Sequence, residues 1–502
     1  MNNFNYIISI ITKKKEILVI LFFSISSCFL LHNSLKNNIS NYESDEDLTI
    51  AMSFQSIFGE DYHSTRVGES IRNIGRLIYP FGIYYMNSNM GGEHINNLTW
   101  NMNGGFYLHE NYKGMWHEIQ YPDPNFQDFW FAMRLLLGVI VIISFYLATI
   151  LIFKNNGLLP ALFYLVISSY SSFTLSSLDV FYTESLMLIV INLIITIYYL
   201  KEADFWRFTF FCAFLIAFAI NIKLTAVFLV FLVYYLFTFK VGKANKYSNE
   251  ILCLLILFFF YLNTLFIKDY GSYLNHTLSN IYHFKTGHLN VQPDGWYQIK
   301  SIFKALGPLG ILYFPMSLIF ILSRKIDKKM IFIYIIIAIN LLIVIQFSGV
   351  RFFLMRNLNT LFVLMVFSYS LYIANIKYFL NNKPFRVIAY SFISFYFIFN
   401  FYNKYDLISE KSFAKELVGL KKLGVVDFSL THFENAQKVQ PMEEAYNLTT
   451  HDKIIQSRFD SLDNVVVKRI NNNKQYTNYM LPLKFDLIKR KGDLFYFKRK
   501  IN

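Results

Sequence analysis

Ten apolar runs, parted by polar breaks, set the plan of this chain. They lie near Ile17–Leu31, Trp130–Phe153, Leu158–Leu175 and Phe181–Leu200, and then across Phe205–Phe239. Others follow near Ile251–Ile267, Gly307–Leu322, Ile331–Ile345, Asn357–Ile376 and Val387–Phe401. The stretch from Phe205 to Phe239 is too long for one crossing and is broken at Asn221-Ile222-Lys223, so it reads as two shorter helices joined by a tight turn. A bilayer offers the backbone no water, so a run that crosses it must satisfy its hydrogen bonds internally, as a helix. The pattern predicts an α-helical multi-span membrane protein of about 11 transmembrane helices.

The polar breaks orient these spans. Lys13-Lys14-Lys15 precede the first run and place the N-terminus inside. No small-residue cleavage site follows, so the run reads as an anchor and not a signal peptide. Alternate breaks then carry the basic residues expected of internal loops: Lys154; Lys201 with Arg207; Lys240, Lys243 and Lys246; Arg324, Lys325, Lys328 and Lys329; and Lys377, Lys383 and Arg386. An odd number of spans leaves the tail outside. The expected division is a transmembrane domain over residues 1–402, with a large external first loop at 32–129 and a second at 268–306, followed by an external domain at 403–502. Mixed charge and apolar segments such as Val465-Val466-Val467 and Leu494-Phe495-Tyr496-Phe497 make that tail a small α/β domain.

Composition agrees and narrows the class. Of 502 residues, 55% are hydrophobic and 16% charged, whereas soluble chains carry about 25% charged residues. The net charge of +14 sits mainly in short loops and the tail, which fits membrane orientation and argues against a nucleic-acid partner. Cys28, Cys212 and Cys253 all fall inside apolar runs and read as small buried hydrophobes, with neither a disulfide framework nor zinc-ligand spacing.

The stretch Asn41–Tyr62 opens the first loop with an acidic cluster, Asp45-Glu46-Asp47, ahead of Leu48, Ala51, Met52 and Phe58 at helical spacing. Carboxylates at the edge of a bilayer suggest chemistry on a lipid-linked substrate. On the predicted topology the same external side collects the Asp179–Glu184 turn, the Lys223 turn, the second large loop, Arg351 and Arg356.

With these residues in place, the chain resembles the GT-C superfamily of polyprenyl-phosphate-sugar glycosyltransferases. The resemblance is to the branch of the protein O-mannosyltransferases and the lipid A aminoarabinose transferases. It is carried by Asp45-Glu46 and Gly59-Glu60-Asp61-Tyr62, by Tyr79-Pro80-Phe81-Gly82-Ile83-Tyr84-Tyr85, and by Arg134-Leu135-Leu136. Asp179 to Glu184, Asn221-Ile222-Lys223-Leu224-Thr225, and His283-Phe284-Lys285-Thr286-Gly287-His288 complete it. The likeness covers about residues 17–402, as an order of short motifs. It implies a sugar donor on polyprenyl phosphate, and a lipid, glycan or protein acceptor met on the periplasmic or luminal face. It implies no nucleotide sugar. A divalent metal stays open, since members of the superfamily differ in this.

The resemblance implies Asp45 as the base that takes the acceptor's proton, with Glu46 beside it and Asp179 as the second acidic position. The residues themselves allow another account: Ser44 as an N-cap with acids in the first helical turn, where the helix dipole favours them. Glu184, close to the hydrocarbon, reads either as a substrate contact or as an ordinary surface charge. Lys223, Arg351 and Arg356 suit donor phosphate, or headgroups reached by snorkelling. His283 and His288 suit substrate contact or a plain loop and lack the further ligands a metal would need. A transporter or lipid-linked sugar flippase is the alternative from another class, and it would show charges in mid-span. The compartment that fits is a bacterial inner membrane. Sequons at Asn97, Asn275 and Asn447 keep an endoplasmic reticulum membrane open.

Overall fold

Each apolar run carries a helix in the computed structural model of this chain. The structure describes residues 2–36, 126–178, 183–200, 204–222, 226–241, 245–260, 308–322, 328–348, 359–375, 382–417, 420–425, 437–438, 462–468, 485–491 and 494–500, with scattered positions in 73–84 and 270–278. In chain order the helices are α1 (Asn2–Lys36), α2 (Phe126–Asn156), α3 (Leu158–Ser169), α4 (Ser172–Leu178), α5 (Thr183–Tyr199) and α6 (Phe205–Ile222). They continue as α7 (Val227–Lys240), α8 (Ser248–Phe259), α9 (Pro308–Leu322), α10 (Lys328–Ser348), α11 (Asn359–Asn375) and α12 (Lys383–Leu417). Among the described residues, four segments, Lys15–Lys36, Phe131–Asn156, Phe205–Ile222 and Lys383–Ser409, are long and apolar enough to cross a membrane.

Local chemistry explains the breaks. Gly157 closes α2 at φ 90°, a left-handed conformation that disfavours any side chain, and its N–H returns to the Phe153 carbonyl at 2.9 Å. The run from Leu158 to Leu175, expected as one helix, is interrupted at Tyr170-Ser171. There the Ser171 hydroxyl accepts the Thr174 N–H at 3.1 Å, as an N-cap does, and starts the seven-residue α4. The cluster Ser168-Ser169-Tyr170-Ser171-Ser172 thus ends one helix and begins another. The break expected near Asn221-Lys223 is present, with α6 ending at Ile222 and α7 beginning at Val227.

Polar side chains tie the helices where lipid and packed apolar groups offer no alternative partner. Asn192 of α5 donates to Ser144 of α2 at 2.9 Å and accepts the Tyr164 hydroxyl of α3. Tyr313 of α9 receives Asn340 of α10 at 2.8 Å and meets Ser368 of α11 at 3.2 Å. Ser370 reaches the Pro160 carbonyl at 2.9 Å, binding α11 to α3. Such bonds are worth about 0.6 to 2 kcal/mol each inside a membrane. Apolar side chains turned outward recur at helical spacing on α1 (Leu18, Phe22, Ile25, Phe29) and α12 (Ile388, Phe395, Ile398, Tyr402), as befits helices solvated by lipid.

α12 runs through position 402 without interruption and leads into a mixed sheet. The strands are β1 (Leu423–Val425), β2 (Gln437–Lys438), β3 (Asn464–Lys468), β4 (Phe485–Lys491) and β5 (Leu494–Arg499), in the order β2-β1-β3-β5-β4. β1 is parallel to both β2 and β3, while β3–β5 and β5–β4 are antiparallel.

Candidate functional site

Among the described residues, the charged side chains buried in the protein are Arg134, Glu184 and Lys404, at 4%, 5% and 7% exposure. A charge withdrawn from water within a membrane bundle is expensive and marks either function or pairing. Their placement can be worked out from register. Ser144 and Asn192 are hydrogen-bonded and therefore level. Arg134 lies ten residues before Ser144 and Glu184 eight before Asn192, about 15 Å and 12 Å toward the same end of the bundle at 1.5 Å per residue. The opposite end is marked by Asn156 donating to the Tyr199 hydroxyl at 2.6 Å, and by the Lys240 ammonium on the Leu200 carbonyl.

The short helix α4 lies at the end that holds the buried charges. Lys404 of α12 donates to the Leu175 carbonyl at 3.2 Å. Ser185, next to Glu184, donates to the Ser177 carbonyl at 2.7 Å, and Asn359, the first residue of α11, donates to the Ser177 hydroxyl at 2.5 Å. Gly138 of α2 backs directly onto α4: a Cβ there would stand 3.2 Å from the Leu178 carbonyl oxygen and 2.6 Å from Leu31 Cδ2 of α1. Arg134 is one turn before Gly138 on the same face of α2. Four helices, α2, α5, α11 and α12, therefore meet at α4. The Glu184 carboxylate accepts the Thr183 hydroxyl at 2.9 Å and sits in the first turn of α5, where the helix dipole favours a negative charge.

Of the residues singled out from the sequence, Glu184 lies within this cluster. Asp45, Glu46, Asp179, Lys223, Arg351, Arg356, His283 and His288 lie outside the described residues, as do the Asn41–Tyr62 stretch and both large loops except for scattered positions. Described residues flank several of those segments in the sequence. Leu178 directly precedes Asp179, and Asn359 follows Arg356 by three positions. The Lys240 end of α7 is at the far side, so Val227, where α7 begins, lies toward the α4 side of the bundle.

Lys404 is the residue that sequence reasoning missed, because it stands past the last apolar run. A signal was present: Ile393, Phe397, Phe401, Lys404 and Ile408 follow the spacing of one helix face, and Ile393, Lys404 and Ile408 are buried. Two cations and a carboxylate are thus withdrawn from water toward the same end of the bundle. No set of three or more His, Cys, Asp or Glu side chains placed to hold a metal ion occurs among the described residues.

No family model matches this chain, and no curated protein matches it. Among solved structures it is similar to the crystal structure of ArnT from Cupriavidus metallidurans bound to undecaprenyl phosphate, with a TM-score of 0.48 and 11% identity over 95% of this chain and 97% of that one. The apo-state crystal structure of that protein is similar at a TM-score of 0.44, with 11% identity and the same coverage. Function is therefore read from this chain's own side chains.

Proposed function

We propose that this chain is an integral-membrane glycosyltransferase that moves a sugar from a polyprenyl-phosphate donor to an acceptor. The observation that carries the reading is the burial of Arg134, Glu184 and Lys404 toward one end of a helical bundle, the end at which Lys404 bonds to α4. That position suits a donor whose lipid tail lies in the bilayer and whose phosphate and sugar stand at its edge. α4 ends there at Leu178, which precedes Asp179 in the sequence. The motif order that resembles the GT-C superfamily supports the same chemistry.

In this reading Asp45 takes the proton of an acceptor hydroxyl as its oxygen attacks the anomeric carbon. The bond from that carbon to the phosphate oxygen breaks, its electron pair stays on the phosphate, and polyprenyl phosphate leaves with inversion at the sugar. Asp179 orients the acceptor, with Glu46 beside the base. Lys223 with Arg351 or Arg356 holds the phosphate and stabilises its growing charge. Glu184, His283 and His288 contact the sugar or acceptor. The bundle has eleven spans, the N-terminus inside, and the active face on the periplasmic side of a bacterial inner membrane.

The test is sugar transfer in proteoliposomes from radiolabelled polyprenyl-phosphate donors, by wild type, Asp45→Asn and Asp47→Asn. Loss of a general base typically costs about 10²- to 10⁴-fold, expected for Asp45→Asn alone. Equal transfer by Asp45→Asn removes Asp45 from the mechanism. A wild-type protein that releases no polyprenyl phosphate, yet carries labelled donor across the bilayer, is a flippase.

A further inference from the structure

α4 is seven residues long, and isolated helices shorter than about 12 residues are marginal on their own. The carbonyls of its last turn have no partner within the helix. Two of them are met by side chains of other helices: Lys404 of α12 donates to Leu175 at 3.2 Å, and Ser185 of α5 donates to Ser177 at 2.7 Å. The Ser177 hydroxyl in turn accepts the Asn359 amide at 2.5 Å, across 182 positions of sequence. Ser177 thus carries the start of α5 on its carbonyl and the start of α11 on its hydroxyl. Ser177, Ser185 and Asn359 are all buried.

An asparagine that caps its own helix does so with the side-chain oxygen, which accepts a backbone N–H. The bond to Ser177 uses the nitrogen and goes to another helix, so it is a tie between helices. α11 has little need of it. Every residue from Asn359 to Tyr372 is buried, and α11 is also bound through Ser368 to Tyr313 of α9 and through Ser370 to the Pro160 carbonyl of α3. α11 is therefore the fixed member and α4 the held one. From Ser177 the tie runs on to Ser185, whose neighbour in sequence is the buried Glu184 in the first turn of α5.

We propose that Asn359 is a positioning residue for the transfer reaction. Through Ser177 it fixes the last turn of α4 and the first turn of α5, and with them the Glu184 carboxylate. The inference rests on the transferase reading and deepens it, because the first residue of α11 has no part in that mechanism. A bond that only supports the bundle is felt in stability. One that positions a reacting group is felt in turnover, since a misplacement of about 1 Å can cost roughly a hundredfold.

The test measures polyprenyl-phosphate release in proteoliposomes, as kcat and KM, and melting by circular dichroism. The proteins are wild type, Asn359→Leu, Ser177→Ala, the double variant and Ser370→Ala. Asn359→Leu keeps the side chain's bulk and removes the donor, while Ser177→Ala is the milder change and carries the test where Asn359→Leu does not fold. Ser370→Ala cuts the bond from the same helix to Pro160. The expected result is kcat about tenfold lower in each of the first two variants, with KM within about twofold. The double variant should be no slower than the slower single. Ser370→Ala should melt lower to a similar extent and keep wild-type kcat. Losses that multiply in the double variant, or that follow melting in Ser370→Ala as well, would overturn the proposal and make Asn359 a support of the bundle. Wild-type kcat in Asn359→Leu would overturn it and leave the transferase reading standing. A wild-type chain that releases no polyprenyl phosphate would overturn that reading, and this inference with it.

Discussion

Gly138→Ala is the smallest change that tests whether α4 is held in place for function. The new methyl would stand 2.6 Å from Leu31 Cδ2 and 3.2 Å from the Leu178 carbonyl oxygen, where carbon contacts prefer about 3.5 to 4.0 Å. Leu31 is 2% exposed, so its methyl cannot swing away without displacing packed neighbours. The Leu178 oxygen belongs to the backbone, and relieving it shifts the end of α4. Overpacking costs about 1 to 3 kcal/mol, while alanine in place of glycine within a helix returns about 1 kcal/mol. The net loss of stability is therefore small, about 0 to 2 kcal/mol. Catalysis is more sensitive, since a misplacement of about 1 Å can cost roughly a hundredfold. Thermal melting by circular dichroism should move little, while the transfer assay shows kcat reduced about tenfold or more. Gly138→Val, with more volume, should lose more of both. A Gly138→Ala protein stabilised by the full helix gain, with wild-type kcat and KM, would refute the claim that this contact positions the end of α4.

Lys404→Met keeps the buried stripe of α12 but removes the donor to Leu175. It should cost about 1.5 to 3 kcal/mol in stability and lower transfer, with Lys404→Arg recovering part of it in separate kcat and KM measurements. Asn192→Ala releases both Ser144 and Tyr164 and should lower stability by about 1 to 2 kcal/mol in detergent melts, while transfer per folded molecule stays within about twofold, because the site is about 12 Å away along α5.

The helices were legible because lipid imposes a simple rule on sequence. Apolar runs of sufficient length become helices, and Asn221-Ile222-Lys223 showed where one run divides. The break at Tyr170-Ser171 was not legible by hydropathy, since serine hydroxyls and Tyr170 sit comfortably inside an apolar average. It depends on a capping bond that only the local geometry reveals. Glu184 could be picked out as a charge at the edge of a span, whereas the cluster around it could not. Register between distant segments, such as Ser144 with Asn192 and Ser177 with Asn359, has no signature in one sequence. Lys404 was hidden by a boundary drawn at the end of apolarity, although the helix and its buried face continue past it.

The central claim is that the buried charges at α4 serve the reaction and do not merely support the bundle. The most direct measurement compares release of polyprenyl phosphate by Glu184→Gln with release by Asn192→Ala, two turns further along the same helix, each normalised to folded protein. The account predicts at least a tenfold fall in kcat/KM for Glu184→Gln, equivalent to losing one charged hydrogen bond of about 1.5 to 3 kcal/mol, and near wild-type turnover for Asn192→Ala. Full turnover by Glu184→Gln, or equal losses in both variants that simply follow stability, would contradict it.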